Sequence, residues 1–438
     1  MRILLATFGS LGDLHPAIAL GLELRRRGHH AVIVTSEYHR PRIVAAGLPF
    51  QPAVPDLRPD DKALIQATMD ERRGPEEVFK YMLAHLPATY ADYRRAIDAE
   101  APDLLITSEL AYAGPILAER LGLRWASMTL SPLSFVSAYD ESILPPAPWL
   151  ARVHALGPRV YGFVLRLVKK HAARMAAPIN DFRRSVGVAP VANPMFDAKH
   201  SPALGLAMFS RLIGEPRPDW PANTVVTGFA FYDGAEPDLA PDLAAFLDRG
   251  DPPIVFTLGS AAVHDPGEFY GASVDAARRL GRRAVLLVGP EPGAVPASSE
   301  TIGVFGYAPF SKLFPRAAAV VHQGGSGTTG QVMRAGRPML VVPYAHDQPD
   351  NALRARKLGI AASVSRNAYS GETAAAALGP LLADAGVAAR AASVGEIVSR
   401  ENGASVAADA IERTFGSRGP WGLKTRPTPP ATSWPTQM

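Results

Sequence analysis

The sequence of 438 residues contains no cysteine. Disulfide bonds, thiolate nucleophiles and zinc–thiolate sites are therefore excluded, and the chain suits a reducing compartment. No run of about 18 apolar residues occurs, so no membrane-spanning helix is predicted. The short apolar start at residues 1–7 is interrupted at once by Gly9 and Asp13, which argues against a signal peptide. Together these absences predict a cytoplasmic protein.

Motifs for a metal-bound diphosphate and for γ-phosphate chemistry are also missing. No Asp-x-Asp triplet occurs, so a divalent metal held by carboxylates is not indicated, and we expect neither a metal nor a cofactor. No lysine follows the last glycine of the segment 324–327, as it would in a Walker A loop. The net charge is only +4 and the basic residues are scattered, so no nucleic-acid partner is expected.

What is present is the composition of a globular protein, at a length that favours two domains. Residues 3–7 predict a strand, followed by a helix that has Pro16 in its first turn and runs to about Arg27. Residues 254–260 repeat this strand and its Gly-Ser turn. Strands alternating with helices predict parallel sheets with helices on both faces. The fold class is therefore α/β, with two doubly wound domains in tandem.

The domain boundaries follow from local composition. We expect an N-terminal domain at 1–215, a Pro-, Asp- and Gly-rich linker at 216–250 with a short strand at 224–227, and a C-terminal domain at 251–400. A helix at 401–416 is expected to pack back on the N-terminal domain. The proline-rich end at 417–438 has little apolar periodicity and is predicted to be disordered.

A glycine-rich segment follows a predicted buried strand at 317–322. From residue 322 it reads His-Gln-Gly-Gly-Ser-Gly-Thr, which predicts a tight turn and a helix that begins near Thr328. Free N–H groups and the positive end of the dipole at such a helix start can bind a phosphate. His322 could donate to the same phosphate; a capping or core histidine is the alternative, but the glycine-rich run that follows favours the phosphate role. The segment predicts a phosphate site.

A carboxylate and an amide follow the next apolar strand, at 339–342. Asp347 and Gln348 suit hydrogen bonds to sugar hydroxyls, and Asp347 can also cap a helix. In the same half, Ser260 could reach a phosphate or a sugar hydroxyl, and Tyr307 could stack on a nucleobase. An anion site beside a polyol site predicts a nucleotide-sugar ligand.

Asp13 lies at a helix start in the first half of the chain. A carboxylate here faces across the cleft that two tandem domains would form, where it could take the proton of an attacking hydroxyl. The plainer interpretation is a helix N-terminal carboxylate that the dipole stabilises. His15 competes as a base, but it abuts Pro16. The charge of a leaving group would be met by the helix N-terminus, His322 and loop hydroxyls.

The chain resembles the family 1 glycosyltransferases of the GT-B fold over residues 1–415, and its opening matches their bacterial branch through Gly9, Ser10, Gly12, Asp13 and Pro16. The resemblance implies two Rossmann-like domains facing across a cleft. It also implies an inverting transfer, in which an acceptor hydroxyl displaces a nucleoside diphosphate. The donor-binding signature of that family is matched by Tyr307, Ala308, Pro309, His322, Gly324, Gly325, Gly327, Thr328, Gly336, Pro338, Pro343, Asp347, Gln348, Asn351 and Ala352.

The resemblance also implies roles for single residues. The donor phosphates would be contacted by His322 with Ser326, Gly327 and Thr328, the sugar by Asp347 and Gln348, and the base by Tyr307. Asp13 takes the position of the histidine base of plant members. Their supporting aspartate falls near Ser108, so Asp13 would act directly.

Gly330 stands where plant members have a glutamate that grips the ribose hydroxyls, a departure that favours 2′-deoxyribose and so a dTDP-sugar. Segments at 182–187, 200–202, 219–221 and 227–234 further resemble the rhamnosyltransferases of bacterial rhamnolipid synthesis. This resemblance implies dTDP-rhamnose as the leading donor, with UDP-glucose next.

The acceptor side is expected in the segment 133–175, which has no clear sheet pattern. Its aromatic residues, chiefly Phe135, Tyr139 and Trp149 with Tyr161 and Phe163, suit an apolar acceptor. A set of basic residues shares one helical face, which could meet an anionic membrane surface, although a solvated face is the favoured interpretation. The set comprises Arg159, Arg166, Lys170 and Arg174. A peripheral contact with the inner face of the membrane therefore stays open beside the cytoplasmic prediction.

The sequence thus predicts a metal-independent, inverting glycosyltransferase that moves a hexose or 6-deoxyhexose to a lipophilic hydroxyl compound, such as a hydroxy-fatty acid, a polyphenol or a sterol-like molecule. Two alternatives remain open. One is a sugar-nucleotide epimerase or hydrolase on the same fold, and the other is a non-catalytic protein that binds sugar nucleotides. Retention of Asp13 with Asp347 and Gln348 argues against the latter, because a sensor needs no base in its cleft.

Overall fold

The computed structural model describes residues 1–58, 61–234, 238–289 and 295–417. Within these ranges the chain forms two parallel sheets with helices on both faces, which confirms the predicted α/β class with two Rossmann-like domains. The predicted disordered tail lies, from residue 418 onward, outside the described residues.

Strands and helices alternate through both halves of the chain. Those of the first half are β1 (Arg2–Ala6), α1 (Leu11–Arg26), β2 (His30–Thr35), α2 (Arg40–Ala45), β3 (Phe50–Pro52), α3 (Lys62–Thr68), α4 (Gly74–Glu100), β4 (Leu104–Ser108), α5 (Ala113–Leu121), β5 (Trp125–Thr129), α6 (Leu150–His154), α7 (Pro158–Met175), α8 (Ala177–Ser185), β6 (Gly205–Ala207) and β7 (Thr224–Val226). The second half continues with α9 (Pro241–Asp248), β8 (Ile254–Thr257), α10 (Phe269–Arg279), β9 (Ala284–Leu287), β10 (Ile302–Phe305), α11 (Phe310–Leu313), β11 (Ala319–His322), α12 (Ser326–Arg334), β12 (Met339–Val341), α13 (Gln348–Lys357), β13 (Ala361–Ser363), α14 (Gly371–Ala383), α15 (Ala385–Ser399) and α16 (Gly403–Phe415).

The strand order in each sheet locates the ligand-binding edge. The first sheet runs β3-β2-β1-β4-β5-β6-β7 and the second β10-β9-β8-β11-β12-β13. In each sheet the order reverses beside the first strand, between β1 and β4 and between β8 and β11. Ligands of open α/β sheets bind beyond the carboxyl ends of the strands at such a reversal. Helices α1 and α12 both begin there, directly after β1 and β11.

Both sheets are buried on both faces, which explains why their strands are continuous apolar runs instead of alternating ones. In β1, Ile3 and Leu5 pack into one core and Leu4 and Ala6 into the other. In β8, Val255 points into one core of the second domain and Phe256 into the opposite one.

The last helix, α16, lies against the first domain. Its apolar residues share a core with α1, and Arg27 forms ion pairs with Asp409 and Glu412 at 2.5 and 2.9 Å. The chain therefore crosses back from the second domain to the first at its C-terminal end.

Helix α1 begins earlier than the sequence predicted. Ser10 caps it and forms a capping box with Asp13, so the helix begins at Leu11 and Pro16 lies inside it instead of in its first turn. Pro16 has no N–H, so it leaves the Gly12 carbonyl without its helical partner. Helix α12 likewise begins at Ser326, two residues before the predicted start.

The predicted linker contains a strand of the first sheet. Residues predicted as a short strand at 224–227 form β7, which pairs with β6 through Gly205 and Thr224. The first domain therefore extends past the predicted boundary at residue 215. The chain leaves the sheet after β6 for a proline-rich excursion and then returns to its edge.

Buried polar contacts join the two domains. Arg354 of α13 pairs with Asp140 of the first domain at 2.8 Å and donates to the carbonyl of Ile213 at 2.7 Å. On the other side of the site, Ile65 and Met69 of the first domain pack into a core of the second. The domains therefore meet along contacts on both sides of the ligand-binding edges.

Candidate functional site

The site lies where the N-terminal ends of α1 and α12 face each other. A methyl group added to Gly327 at the start of α12 would lie 3.9 Å from the Cα of Gly12 at the start of α1. Two helix N-termini from two domains thus approach one point, and the positive ends of both dipoles face it.

The turn between β11 and α12 depends on glycine. Gly324 has φ +94°, and a Cβ there would lie 2.6 Å from Cγ1 of Val341 and 3.0 Å from the carbonyl oxygen of Gln348. Both the backbone angle and the close neighbours therefore require a residue without a side chain. The turn brings the chain from the buried strand directly into the helix start.

His322 is fully buried beneath this turn. Its Nδ1 accepts a hydrogen bond from the Gly324 N–H at 3.0 Å, and its Nε2 lies 3.4 Å from Sδ of Met339. Burial lowers the pKa of the imidazole to about 3, so the ring is neutral at physiological pH. In this structure His322 fixes the turn from below, and the direct phosphate contact predicted for it stays a prediction.

The start of α12 offers backbone donors. Its N-cap is Gly325, so no side chain caps the helix, and the backbone of Ser326, Gly327 and Thr328 forms its first turn. The first N–H groups of a helix have no partner inside the helix. An uncapped helix start at a sheet edge suits a phosphate, and the phosphate contact of these residues stays a prediction.

Asp347 and Ser326 form a polar cluster beside this helix start. Ser326 Oγ donates to Asp347 Oδ2 at 2.7 Å, and Asn351 Nδ2 donates to the same oxygen at 2.9 Å. Burial raises the pKa of Asp347, against the two hydrogen bonds that lower it. Gln348 turns inward: its Oε1 accepts from the N–H groups of Tyr344 and Ala345. Only its NH₂ group is left for the sugar contact that the sequence predicts.

Asp13 reaches the site from the first domain. Its Oδ2 accepts from the Ser10 N–H at 2.8 Å, and Gly9 leaves it room, because a Cβ at Gly9 would lie 2.2 Å from that oxygen. Burial raises the pKa of Asp13 to about 7, the Ser10 hydrogen bond lowers it in part, and the carboxylates of Asp347 and Glu109 raise it further. A pKa near neutral pH suits a general base for a hydroxyl proton, and this role of Asp13 stays a prediction.

Glu109 is a site residue that the sequence reasoning missed. It follows β4 directly, one position after Ser108, and its Oε1 accepts from the Leu130 N–H at 3.0 Å. Lys199 lies 3.5 Å from its other oxygen. Because Glu109 acts on Asp13 through its charge alone, with no intervening histidine, a search for a His–Asp pair could not find it. Its place at the carboxyl end of a central strand was the available signal.

Gln323 was also missed. It is buried, its Oε1 has no hydrogen-bond partner, and its amide lies against both Gly259 and Gly325. This contact brings the loop of Ser260 against the turn before α12, so the predicted Ser260 lies beside the helix start. The signal in the sequence was an amide between the strand-end histidine and the first glycine.

Tyr307 and Ala308 follow β10 at the same edge of the second sheet. Tyr307 is exposed, whereas the Ala308 side chain is buried in the core, so Ala308 can meet a ligand only through its backbone.

Gly330 has a packing role that the sequence did not reveal. A Cβ there would lie 2.9 Å from Cδ1 and Cε1 of Phe229. The ring of Phe229 therefore occupies the space that a longer side chain at residue 330 would need.

The predicted acceptor residues divide in the structure. Phe135 is buried, with its ring stacked on Trp220 at 4.1 Å and on His200 at 5.2 Å, so it has a packing role and its contact with an acceptor stays a prediction. This aromatic residue after β5 is used to fill the core of the protein. Tyr139 and Trp149 are exposed and stay candidates.

Two absences hold for the part of the chain that the structure describes. No group of three or more His, Asp or Glu side chains there is arranged to hold a metal ion. Of the helices in the same ranges, none is both long and apolar enough to cross a bilayer.

Two family models match the chain on either side of this site. The model of the glycosyltransferase family 28 N-terminal domain matches residues 3–134, which include Asp13 and Glu109. The model of the erythromycin biosynthesis protein CIII-like C-terminal domain matches residues 289–412, which include α12 and Asp347.

Known proteins match over nearly the whole chain. An O-mycaminosyltylonolide 6-deoxyallosyltransferase of Streptomyces fradiae is 34% identical, over 95% of this chain and 98% of its own. A vancomycin aglycone glucosyltransferase of Amycolatopsis orientalis is 29% identical, over 94% and 98%. The crystal structure of the glycotransferase of kitacinnamycin has a TM-score of 0.66 at 22% identity, over 94% of this chain and 98% of that one. This last likeness concerns the fold.

Proposed function

We propose a reaction for this chain, which belongs to the family 1 glycosyltransferases of the GT-B fold and to their bacterial natural-product branch. The chain transfers a hexose or 6-deoxyhexose from a nucleoside diphosphate to a hydroxyl group of a lipophilic small molecule. The transfer inverts the anomeric carbon and needs no metal. The observation that carries this proposal is the meeting of Asp13 with the uncapped start of α12 across the domain boundary.

The diphosphate of the donor binds at the start of α12. The N–H groups of Ser326, Gly327 and Thr328 face the phosphate oxygens, and the helix dipole favours their charge. The sugar lies toward Asp347, whose carboxylate accepts from Ser326 and Asn351 and has lone pairs left for sugar hydroxyls. The base of the nucleotide lies toward Tyr307.

Asp13 is the proposed general base. The acceptor oxygen attacks the anomeric carbon while its proton passes to the Asp13 carboxylate. The bond from the anomeric carbon to the diphosphate oxygen breaks on the opposite side, and the diphosphate leaves with the electron pair. A single displacement of this kind inverts the configuration at carbon. A base with a pKa near the working pH is the most effective one for such a proton transfer.

The charge on the leaving diphosphate is met by fixed dipoles in this proposal. The start of α12 is held in place by the Gly324 turn and by the contact of His322 below it, so its N–H groups need no rearrangement during the reaction. This preorganised positive end takes the part that a metal ion plays in other nucleotide-sugar enzymes.

The donor we favour is a dTDP-6-deoxyhexose, dTDP-rhamnose first, with UDP-glucose next. The 34% identical relative is named for the transfer of a 6-deoxyallosyl group, which supports a 6-deoxy sugar. Gly330 and the Phe229 ring leave no side chain to grip a ribose 2′-hydroxyl from this position, which supports a deoxyribose. The names of the relatives, which specify O-mycaminosyltylonolide and the vancomycin aglycone, support a natural-product acceptor.

The test combines binding with turnover. Thermal shifts are measured with dTDP-rhamnose, UDP-glucose, dTDP and UDP, since a ligand at about 100 times its Kd stabilises the native state by about 2.7 kcal/mol. Transfer to a panel of lipophilic alcohols is followed by mass spectrometry, with donor alone as the check for hydrolysis or epimerisation. We expect dTDP-sugars to give the larger shifts and Asp13→Asn to keep the shift and lose at least about 100-fold in turnover.

Ser365→Ala, on the loop before α14, serves as the matched control and should keep both properties. An Asp13→Ala protein with undiminished transfer would overturn the role of Asp13. Release of free sugar from donor alone, at a rate that an added acceptor does not change, would favour the hydrolase alternative.

A further inference from the structure

We propose that α7, with the residues that lead into it, is a docking surface for an anionic lipid bilayer. We call this surface the α7 face and define it by four apolar residues, Leu156, Val160, Phe163 and Leu167, and four basic ones, Arg159, Arg166, Lys170 and Arg174. The inference goes beyond the proposed transfer reaction, and its test does not depend on that reaction.

The charge of this part of the chain is unlike that of the rest. Residues 142–180 contain six Lys or Arg residues and no Asp or Glu, a net charge of +6. The whole chain carries 45 basic and 41 acidic residues, a net charge of +4, so the remainder carries +4 minus +6, or −2. The positive charge of the molecule is therefore concentrated around α6 and α7.

The apolar residues of the α7 face are exposed to an unusual degree. Leu156 is 66% exposed, Phe163 55%, Leu167 53% and Val160 44%. Val160, Phe163 and Leu167 are spaced three and four residues apart, so they form one stripe along α7, and Leu156 lies just before the helix begins. Single exposed apolar residues are normal, but three in one stripe with a fourth beside the helix start mark an interaction surface.

The orientation of the helix is fixed by its opposite side. Tyr161 and Leu165 are buried against Val136 and Leu150 in a small core of their own. The stripe cannot rotate inward without breaking this core. The exposed stripe is therefore a property of the folded domain, not of a loosely attached helix.

The basic residues are free to meet an external charge. In the described part of the chain no ion pair joins Arg159, Arg166, Lys170 or Arg174 to an acidic side chain. The Arg166 guanidinium lies 5.9 Å from the centre of the Phe163 ring, so an apolar and a basic group of the α7 face sit side by side. Trp149, also exposed, precedes this surface and is a residue type that favours the membrane interface.

Apolar side chains flanked by basic ones fit an anionic bilayer better than other occupants. Apolar groups enter the boundary between headgroups and acyl chains, while Lys and Arg meet the lipid phosphates. A second copy of this chain, docked through the same surface in a two-fold dimer, would place the four basic residues of the α7 face against the same four of the other copy. Charge complementarity therefore selects the lipid surface.

The experiment is co-sedimentation of the full chain with vesicles of phosphatidylcholine alone or with about 30 mol % phosphatidylglycerol added. We expect binding to the anionic vesicles and at least about tenfold weaker partitioning to the neutral ones. Added salt should weaken the binding, since about 1 M salt screens charges beyond about 3 Å.

Two variants separate the two parts of the surface. Phe163→Ser with Leu167→Ser removes the apolar stripe, and Arg159→Glu, Arg166→Glu and Lys170→Glu together reverse the basic charge. Each should lower the partition coefficient at least about tenfold with an unchanged melting temperature, because the residues are exposed. The matched controls are Val44→Ser with Ile397→Ser, and Arg278→Glu, Arg282→Glu and Arg356→Glu together, all at exposed sites elsewhere. They should bind as the unmodified protein does.

Three outcomes would overturn the proposal. One is the absence of binding to either vesicle, and another is equal loss of binding in the control variants. The third is a dimer in light scattering that Phe163→Ser with Leu167→Ser converts to a monomer, since the face would then serve a second copy of the chain. Loss of transfer activity alone would bear on the proposed function and leave the vesicle result intact.

Discussion

At the scale of single residues, the site depends on Asp13, a carboxyl group that serves structure and chemistry together. Its Oδ2 closes the capping box of α1 by accepting from Ser10, while burial and the charges of Asp347 and Glu109 hold its pKa near 7. A carboxyl group whose folded-state pKa is raised favours the folded state at low pH, and that advantage is lost as pH rises from about 4 to about 7. The raised pKa that suits Asp13 to act as a base therefore lowers the free energy of unfolding at neutral pH.

The first prediction concerns the pH profile. kcat/KM for the donor, which reports groups of the free enzyme, should rise with pH and level off above an apparent pKa of about 7. Glu109→Gln removes a negative charge near Asp13 and keeps an acceptor for the Leu130 N–H. The rising part of the kcat/KM profile of this variant should move to lower pH, because less repulsion opposes ionisation of Asp13.

Glu37→Gln is the control for this shift. Glu37→Gln also removes a negative charge, but Glu37 lies in an exposed ion pair with Arg40. Its profile should overlay that of the unmodified enzyme. If the pH profile of Glu109→Gln stays in place or moves to higher pH, Glu109 does not act on Asp13 through its charge.

Sequence reasoning reached Asp13, Asp347 and the helix start because each lies at a strand end, where topology determines which residues meet. It could not reach the position of Phe135, since nothing in the pattern distinguishes an aromatic side chain that packs on Trp220 from one that faces a ligand. It could not assign Glu109 either, because a purely electrostatic partner has no motif. What depends on strand order could be predicted, and what depends on packing could not.

At the scale of elements, β11 and α12 form one unit whose parts fix each other. The imidazole of His322 accepts from Gly324, and Asn351 of α13 donates to the Gly324 carbonyl at 2.9 Å. The strand and the helix were predictable from their apolar pattern, but the start of α12 was misplaced by two residues. The N-cap is a glycine, so the sequence lacks the capping side chain that usually indicates where a helix begins.

The second prediction concerns the packing of α12 at Gly330. Gly330→Ala should destabilise the protein by about 1 to 3 kcal/mol, because the new methyl group meets the Phe229 ring at 2.9 Å and overpacks the site. Gly271→Ala in α10 is the matched control, since beyond its chain neighbours and the helix backbone only Glu268 Oε2 lies near it, at 3.9 Å. This change should stabilise the protein by about 1 kcal/mol through helix propensity.

Urea unfolding measures both variants. Equal free energies of unfolding for the two would contradict the packing argument. The same contact predicts that Gly330→Glu alone does not raise affinity for UDP over dTDP. A gain should require Phe229→Ala as well, and the thermal-shift panel provides the readout.

At the scale of the whole molecule, the site exists only because two domains are held edge to edge. Arg354 lies at the centre of this contact: it pairs with Asp350 of its own helix at 2.6 Å and with Asp140 of the other domain at 2.8 Å. It also donates to Ser142 at 3.2 Å. The Asp350 carboxylate in turn accepts from the Ile143 N–H at 2.9 Å, across the same boundary. No local sequence pattern indicates such a cluster, because its members come from segments far apart in the chain.

The last prediction tests this cluster. Arg354→Leu leaves Asp350 fully buried without its cation, so the free energy of unfolding at neutral pH should fall by about 3 to 5 kcal/mol. Burial raises the pKa of Asp350 even with Arg354 present, and loss of the guanidinium should raise it further. The carboxyl group can then be neutralised by protonation, so the destabilisation should shrink as pH falls from 7 toward 5. Arg279→Leu, which breaks an exposed pair with Asp275, is the control and should leave the free energy of unfolding nearly unchanged at any pH in this range. Unfolding curves at both pH values decide the matter. Two results would contradict the prediction: Arg354→Leu lowers the free energy of unfolding as little as the control does, or by an amount that does not change with pH. Either result would mean that the contact between the domains does not depend on a buried charge pair.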